Sequence, residues 1–222
     1  MGKKIFGINT VRVAVDDVIH YVKELDPSIT VHSIVDDSLV AEVIENNGPN
    51  SNVLRKLCTY FVFAEQTGAD LILNMCSSVG EAAEVAAKMV SIPMVKIDER
   101  MAEEACKLGN RIGVVATVST TMGPTVRLIQ KSADKIGKKI KISQEICKGA
   151  FEKLTKDGDK KAHNEIVIET IRELTNSVDV VVCAQGSMHA LMQDLGKAPV
   201  PVLTSPPLGS KHAVEILASM PK

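Results

Sequence analysis

A chain of 222 residues, 45% apolar and 24% charged, is long enough to bury a sizeable core, as one large domain or two small ones, and has the composition of a globular protein. Its formal charge of −1 offers no basic surface to nucleic acid or to an anionic membrane, and 3% aromatic residues with no Trp leave little for stacking on bases. Five cysteines (Cys58, Cys76, Cys106, Cys147 and Cys183) are odd in number and form no Cys-x-x-Cys pair, which argues against a disulfide framework and a zinc knuckle.

Short β-branched runs alternate with helical patterns from end to end, as in a parallel sheet with crossover helices. The opening residues lack the apolar stretch and cleavage site of a signal peptide, and no segment approaches a membrane span, so a cytoplasmic protein is expected. In chain order, a strand over Lys4 to Ile8 precedes a helix over Val13 to Leu25 and a strand over Thr30 to Val35. The polar stretch Asn46 to Asn52, with Gly48 and Pro49, predicts a mobile loop over the strand ends. A helix over Asn52 to Thr67 leads into a strand over Leu71 to Met75, a helix over Glu81 to Met89 and a strand over Met94 to Ile97. Then follow a helix over Glu99 to Leu108, a strand over Arg111 to Ala116, a helix over Thr125 to Ile136 and a strand over Lys139 to Glu145. A helix over Asn164 to Thr175, strands over Val180 to Ala184 and Val200 to Leu203, and a helix over Lys211 to Met220 complete the chain.

The two halves repeat. Lys4 to Val11 matches Arg111 to Val118 in pattern, with Thr10 over Thr117 at an offset of 107, and Gly68 to Leu73 matches Ser177 to Val182, with Asp70 over Asp179 at an offset of 109. Two similar α/β lobes are expected, residues 1–98 rejoined by 206–222 and residues 99–205, each a parallel sheet flanked by helices, with the site in the cleft between them. Anchored on the two aspartates, the overlay puts Gln185 opposite Cys76, Ser187 opposite Ser78 and Cys183 opposite Asn74. Cys183 would then lie about 6 to 7 Å deeper along its strand than Gln185.

Ligands of open α/β sheets bind outside the carboxyl ends of the strands. Cys76 stands there, with Ser77 and Ser78 after it and a helix pattern beyond, where backbone N–H groups favour anions and lower a thiol's pKa. It is the candidate catalytic residue. Asn9 and Thr10 end the first strand, where an amide and a hydroxyl can orient a carboxylate. Thr117, Thr120, Thr121, Gln185, Gly186 and Ser187 occupy the corresponding loops of the second half, and the hydroxyls among them are equally candidates for helix capping. Cys58, Cys106 and Cys147 read as core residues, His189 as solvent-facing, and Lys96, Asp98 and Glu99 as a polar rim. No Gly-x-Gly-x-x-Gly follows the first strand, which argues against a dinucleotide-binding fold.

At these residues the sequence resembles the aspartate/glutamate/hydantoin racemase superfamily over nearly its whole length. Asn9-Thr10 ends the opening strand. Asn74-Met75-Cys76-Ser77-Ser78 is similar to the first Cys-Asn-Thr loop, Ala116 to Thr121 to the Ala-Thr-x-x-Thr segment, and Ala184 to Met188 stands at the second Gly-Cys-Thr loop. The resemblance implies a cofactor-independent enzyme on two pseudo-symmetric lobes, binding a small carboxylate, often as a homodimer. In that family one thiolate takes a proton from the carbon beside a carboxylate and a second thiol returns one to the other face. Here the first thiol maps to Cys76 and the second position to Gln185, with Cys183 as the remaining candidate. A racemase or isomerase is the first expectation. A single-cysteine decarboxylase, a double-bond isomerase of a small diacid, and a non-catalytic metabolite-binding protein are the alternatives.

Overall fold

The computed structural model describes residues 2–12 and 15–221. They form two compact units, Met1–Arg100 with Pro206–Lys222, and Met101–Ser205. In the first, β1 (Lys4–Asn9), β2 (Thr30–Val35), β3 (Leu71–Asn74) and β4 (Met94–Lys96) form an all-parallel sheet in the order β2-β1-β3-β4. Between these strands run α1 (Val15–Leu25), α2 (Ser38–Glu45), α3 (Ser51–Gln66) and α4 (Gly80–Ala86), the last preceded by a 3₁₀ turn over Ser77–Val79.

The second unit repeats the plan. Its strands β5 (Arg111–Ala116), β6 (Lys141–Ile146), β7 (Val180–Cys183) and β8 (Val202–Leu203) are parallel in the order β6-β5-β7-β8. Its helices are α5 (Glu99–Leu108), α6 (Ser119–Lys135), α7 (Ala150–Thr155), α8 (Lys160–Thr175) and α9 (Met192–Leu195), with a 3₁₀ run over Gly186–Leu191 before α9. The chain then returns to the first unit through α10 (Ser205–Ser219).

The two-residue period of a strand sends alternate side chains to opposite faces. In the first unit Phe6, Ile8 and Ile72 meet Leu39, Val43, Leu57, Phe61 and Ala83 from α2, α3 and α4. Ile5, Leu71, Leu73 and Val95 meet Val18 and Val22 of α1 and Ala213 and Leu217 of α10. In the second, Val115, Val181 and Cys183 pack with Val167 and Ile171 of α8 and with Met188, Leu191 and Leu195. With both faces covered, the central strands read as unbroken apolar runs in the sequence.

Both sheets are held at their amino end by an aspartate. Asp70 Oδ2 accepts the N–H of Lys4 at 2.7 Å, and Asp179 Oδ2 accepts those of Arg111 at 2.8 Å and Asn110 at 3.0 Å. Asp179 Oδ1 also takes the Arg111 guanidinium, at 2.9 and 2.6 Å. This clamp, the Arg111 side chain above all, holds the Asp179 carboxyl down at about 2.

The strands lie within two residues of their predicted bounds, whereas several helices start earlier. α6 begins at Ser119 rather than Thr125, carrying Pro124 inside it, and α10 takes Pro206 and Pro207 into its first turn. Proline lacks a donor that a first turn does not use, so a helix tolerates it there. The predicted start of the first helix at Val13 lies outside the described residues, and α2 and α7 were not predicted. The expected mobile loop over Asn46 to Asn52 is instead a pinned turn. Asn50 Oδ1 caps α3 through the N–H groups of Asn52 and Val53, both at 2.9 Å, and the Glu42 carboxylate takes the side-chain amides of Asn50 and Asn52.

A carboxyl whose folded value is depressed stabilises the fold above its unfolded value and ceases to do so as pH falls through the folded one. Wild type should therefore melt above Asp179→Asn at neutral pH, and the two melting temperatures should converge between about pH 4 and pH 2 in a calorimetric series.

Candidate functional site

In the first unit the strand register pairs Ile8 with Asn74, and the N–H of Met75 donates to Ile8 O at 2.9 Å. Two residues further along each strand, Thr10 and Cys76 come side by side. The Asn74 side-chain amide donates to Cys76 O at 3.0 Å, fixing the backbone of the cysteine as the 3₁₀ turn begins. Cys76 is partly exposed, whereas Thr10, Ser77 and Ser78 are buried.

Burial pushes the Cys76 thiol up. Polar groups of Thr10, Ser78 and Val79 beside the sulfur draw it back only in part. The expected lowering by a helix N-terminus is therefore not found. A three-residue 3₁₀ turn, whose Val79 N–H closes on Cys76 O at 3.4 Å, offers the sulfur little, and desolvation outweighs it.

The other predicted residues of this unit divide. The Asn9 amide donates to Ile34 O at 3.1 Å, so this side chain ties β1 to β2. Ser77 lies near the Asp98 carboxyl. Ser78 Oγ makes no full hydrogen bond and is buried, as are Asn74 Oδ1 and Asp98 Oδ1. Two residues read as a polar rim are interior. Lys96 is 5% exposed with its Nζ 2.5 Å from Glu84 Oε1, and Asp98 is 3% exposed. Burial raises the Asp98 carboxyl's pKa against the pull of Ser77 and Lys96. A charged residue directly after a buried strand was the available signal.

The second unit builds the same corner with different chemistry. Val115 pairs with Cys183 and the N–H of Ala184 donates to Val115 O at 2.9 Å, so Thr117 meets Gln185 as Thr10 meets Cys76. Gln185 Oε1 accepts from the backbone N–H of Thr117 at 2.7 Å and from its hydroxyl at 3.0 Å. A backbone N–H can only donate, so the amide oxygen points inward and the NH₂ is the end presented. Cys183 is the last residue of β7, fully buried in the core with Val115 and Cys147. Burial, with the nearby Cys147, pushes its thiol up to about 12. As a candidate for the second thiol, Cys183 does not reach the corner: it lies two residues before Gln185, on the same side of the strand but deeper, packed against Val115 and Cys147.

Thr121 Oγ1 bonds Val118 O at 3.0 Å within the first turn of α6, and Thr120 Oγ1 is buried without a partner. Gly186 is partly buried and Ser187 exposed. His189, expected to face solvent, is partly buried with Nδ1 2.8 Å from the hydroxyl of the buried Thr204. Among the described residues no group of three or more His, Cys, Asp or Glu is placed to hold a metal ion, and no helix is long and apolar enough to cross a membrane.

The family described as Asp/Glu/Hydantoin racemase matches the chain over residues 5–213. Among solved structures, glutamate racemase from Francisella tularensis, in complex with D-glutamate, superposes with a TM-score of 0.75 at 12% identity, covering 98% of this chain and 81% of that one. Aspartate racemase from Picrophilus torridus gives 0.70 at 15% identity over 100% and 96%, and allantoin racemase from Pseudomonas fluorescens 0.65 at 15% over 97% and 91%. No curated relative matches the chain at the level of sequence.

The two thiols should respond oppositely to replacement by a hydroxyl. Cys183→Ser places an unpaired polar group in the core and should lower stability by about 1–3 kcal/mol in urea unfolding. Cys76→Ser, at a partly exposed strand end with donors beside it, should change stability by less than about 1 kcal/mol.

Proposed function

The chain belongs to the Asp/Glu/hydantoin racemase family, and from that premise we propose that it is a cofactor-independent enzyme of the isomerase class. It acts at the carbon next to the carboxylate of a small acid or amino acid, with Cys76 as the thiol that carries the proton. The observation behind this reading is the strand-end corner in which the register of β1 and β3 sets Thr10 beside the partly exposed Cys76, where the 3₁₀ turn begins. Thiolate Cys76 takes the α-proton, and the electron pair of the broken C–H bond moves onto the carboxylate as an enediolate. Protonation of the enediolate on its opposite face gives the inverted product, and the Cys76 thiol gives up the captured proton to water to regain its thiolate. Backbone donors of the turn and hydroxyls such as Ser78 suit the developing negative charge.

Gln185 favours a second reading. Inversion needs an acid on the opposite face of the carbon; an amide neither gives nor takes a proton in that step, and Cys183 lies in the core. One-faced chemistry fits such a site. In decarboxylation the C–C bond to carbon dioxide breaks, its electron pair forms the enediolate, and the Cys76 thiol protonates the carbon before regaining a proton from water. The Gln185 NH₂ then serves as a fixed donor to the substrate's carboxylate.

Proton NMR in D₂O with aspartate, glutamate, a hydantoin, maleate and an arylmalonate tests both. Deuterium entering the α-position with loss of chirality supports racemisation. Carbon dioxide release or double-bond migration, with deuterium on one face, supports the one-thiol reaction. In either case Cys76→Ala should lower turnover by about 10³-fold with its melting temperature unchanged. Full activity in that variant would overturn both readings. The pH profile separates the roles of the thiol. If thiolate is the base, kcat/KM rises with pH into the range above an ordinary cysteine; if thiol is the acid, it is flat near neutrality and falls there.

A further inference from the structure

The corner of the second unit carries a side chain whose orientation is fixed. Gln185 stands, by strand register, where Cys76 stands in the first unit. Its backbone is extended, and its carbonyl oxygen accepts the N–H of Met188 at 3.0 Å as the 3₁₀ run begins. Its side chain is anchored independently, since Oε1 accepts the Thr117 N–H at 2.7 Å and the Thr117 hydroxyl at 3.0 Å. Turning the amide over would set its NH₂ against a backbone donor and give up both bonds, so its two ends are not interchangeable here. Thr117 is buried and Gln185 partly exposed, so the amide runs from a covered anchor to a partly open end. Two residues after Thr117, α6 begins behind Val118, whose side chain has no acceptor to offer the first N–H groups of the helix. Both features of the corner call for an acceptor.

We infer that Gln185 makes this corner a subsite for a carboxylate or carbonyl oxygen and turns away an ammonium group, with Thr117 as the residue that positions the amide. An ammonium has three donors and no acceptor, so the fixed NH₂ has nothing to offer it. The inference deepens the one-thiol reading above; it rests on that reading for the reaction but not for the binding. The substrate class that follows is an acid with a second oxygen function, such as a diacid or a hydantoin-like ring, and not one that must place an amine at this corner. A thiol in the same place could exchange a proton with the substrate, whereas the amide can only hold it.

The measurement is the nitrogen–proton correlation spectrum of the intact protein, with the Gln185 NH₂ pair assigned by its loss in Gln185→Met. Malonate, succinate, hydantoin and diaminopropane are titrated in separately at constant ionic strength. In wild type that pair should shift saturably with at least one of the three oxygen ligands and not with diaminopropane. Gln185→Met keeps the length of the side chain and loses its donors, and should bind the same ligand about tenfold more weakly, read from the other resonances that move. Gln185→Glu keeps the bonds from Thr117 but presents a second oxygen, and should lose at least as much. Thr117→Val should weaken binding about threefold, and Thr117→Ser, which keeps the hydroxyl, should restore it. The subsite is overturned by no saturable shift with any of the three up to about 100 mM, by a shift with diaminopropane, or by wild-type affinity in Gln185→Met or Gln185→Glu. Equal weakening in Thr117→Val and Thr117→Ser would overturn the part given to Thr117. Should Gln185→Met fail to fold, the pair is assigned and the test decided with Gln185→Glu. Binding is read without turnover, so a protein that holds these ligands and converts none loses the reaction assignment and keeps the subsite, and one that converts them with Gln185→Met binding like wild type does the reverse.

Discussion

The register of two parallel strands governs everything at the candidate site. β1 and β3 are tied at their amino ends by Asp70 and paired so that Ile8 lies beside Asn74, and the chain has no freedom to place Thr10 anywhere but next to Cys76. A slip of one residue would turn the thiol into the apolar layer and expose Asn74 or Met75 instead, because side chains alternate between faces. The same constraint operates between β5 and β7, where Asp179 and Arg111 hold the amino end and Thr117 is delivered to Gln185. Register is thus decided at one end of each sheet and read out at the other.

Given one geometry, the two units differ in what stands at the corner. In the first, polar groups of Thr10 and the following turn surround a sulfur, and burial outweighs them, so the thiol keeps its proton more firmly than an ordinary cysteine. In the second, a hydroxyl and one backbone donor converge on an amide oxygen, a neutral group that gains two good hydrogen bonds and cannot titrate. The two corners share a strand geometry, but the first carries a titratable side chain and the second does not. Cys183 does not supply one. Its sulfur fills core volume among Val115, Val181 and Ile171, where ionisation would cost far more than any local donor returns.

How much of this was legible beforehand depends on the range of the physics involved. Strand and helix order followed from local periodicity, and the repeat was visible because burying both faces of a parallel sheet demands the same apolar runs twice. Cys76 stood out because a thiol followed by two hydroxyls at a strand end is a local pattern, and the overlay on Asp70 and Asp179 set Gln185 against it correctly, since each pair of strands keeps the same register. The interior position of Lys96 and Asp98 was not legible. Three residues after Met94 look like any polar rim until α4 brings Glu84 to Lys96 and the turn brings Ser77 to Asp98. His189 was misread for the same reason, its partner Thr204 being fifteen residues away on the far side of α9.

The sequence by itself determined the alternation of strands and helices, the twofold repeat and the identity of the residues at the two strand-end corners, because these rest on periodicity and spacing within a few residues. Only the tertiary structure decided that Cys183 is a core residue, that Asn9 donates to β2, that the Asn46 to Asn52 stretch is pinned by Glu42, and that the Cys76 thiol is pushed up rather than down. Desolvation and hydrogen bonding depend on which distant groups pack around an atom, and that information exists only once the sheet and its helices have closed over it.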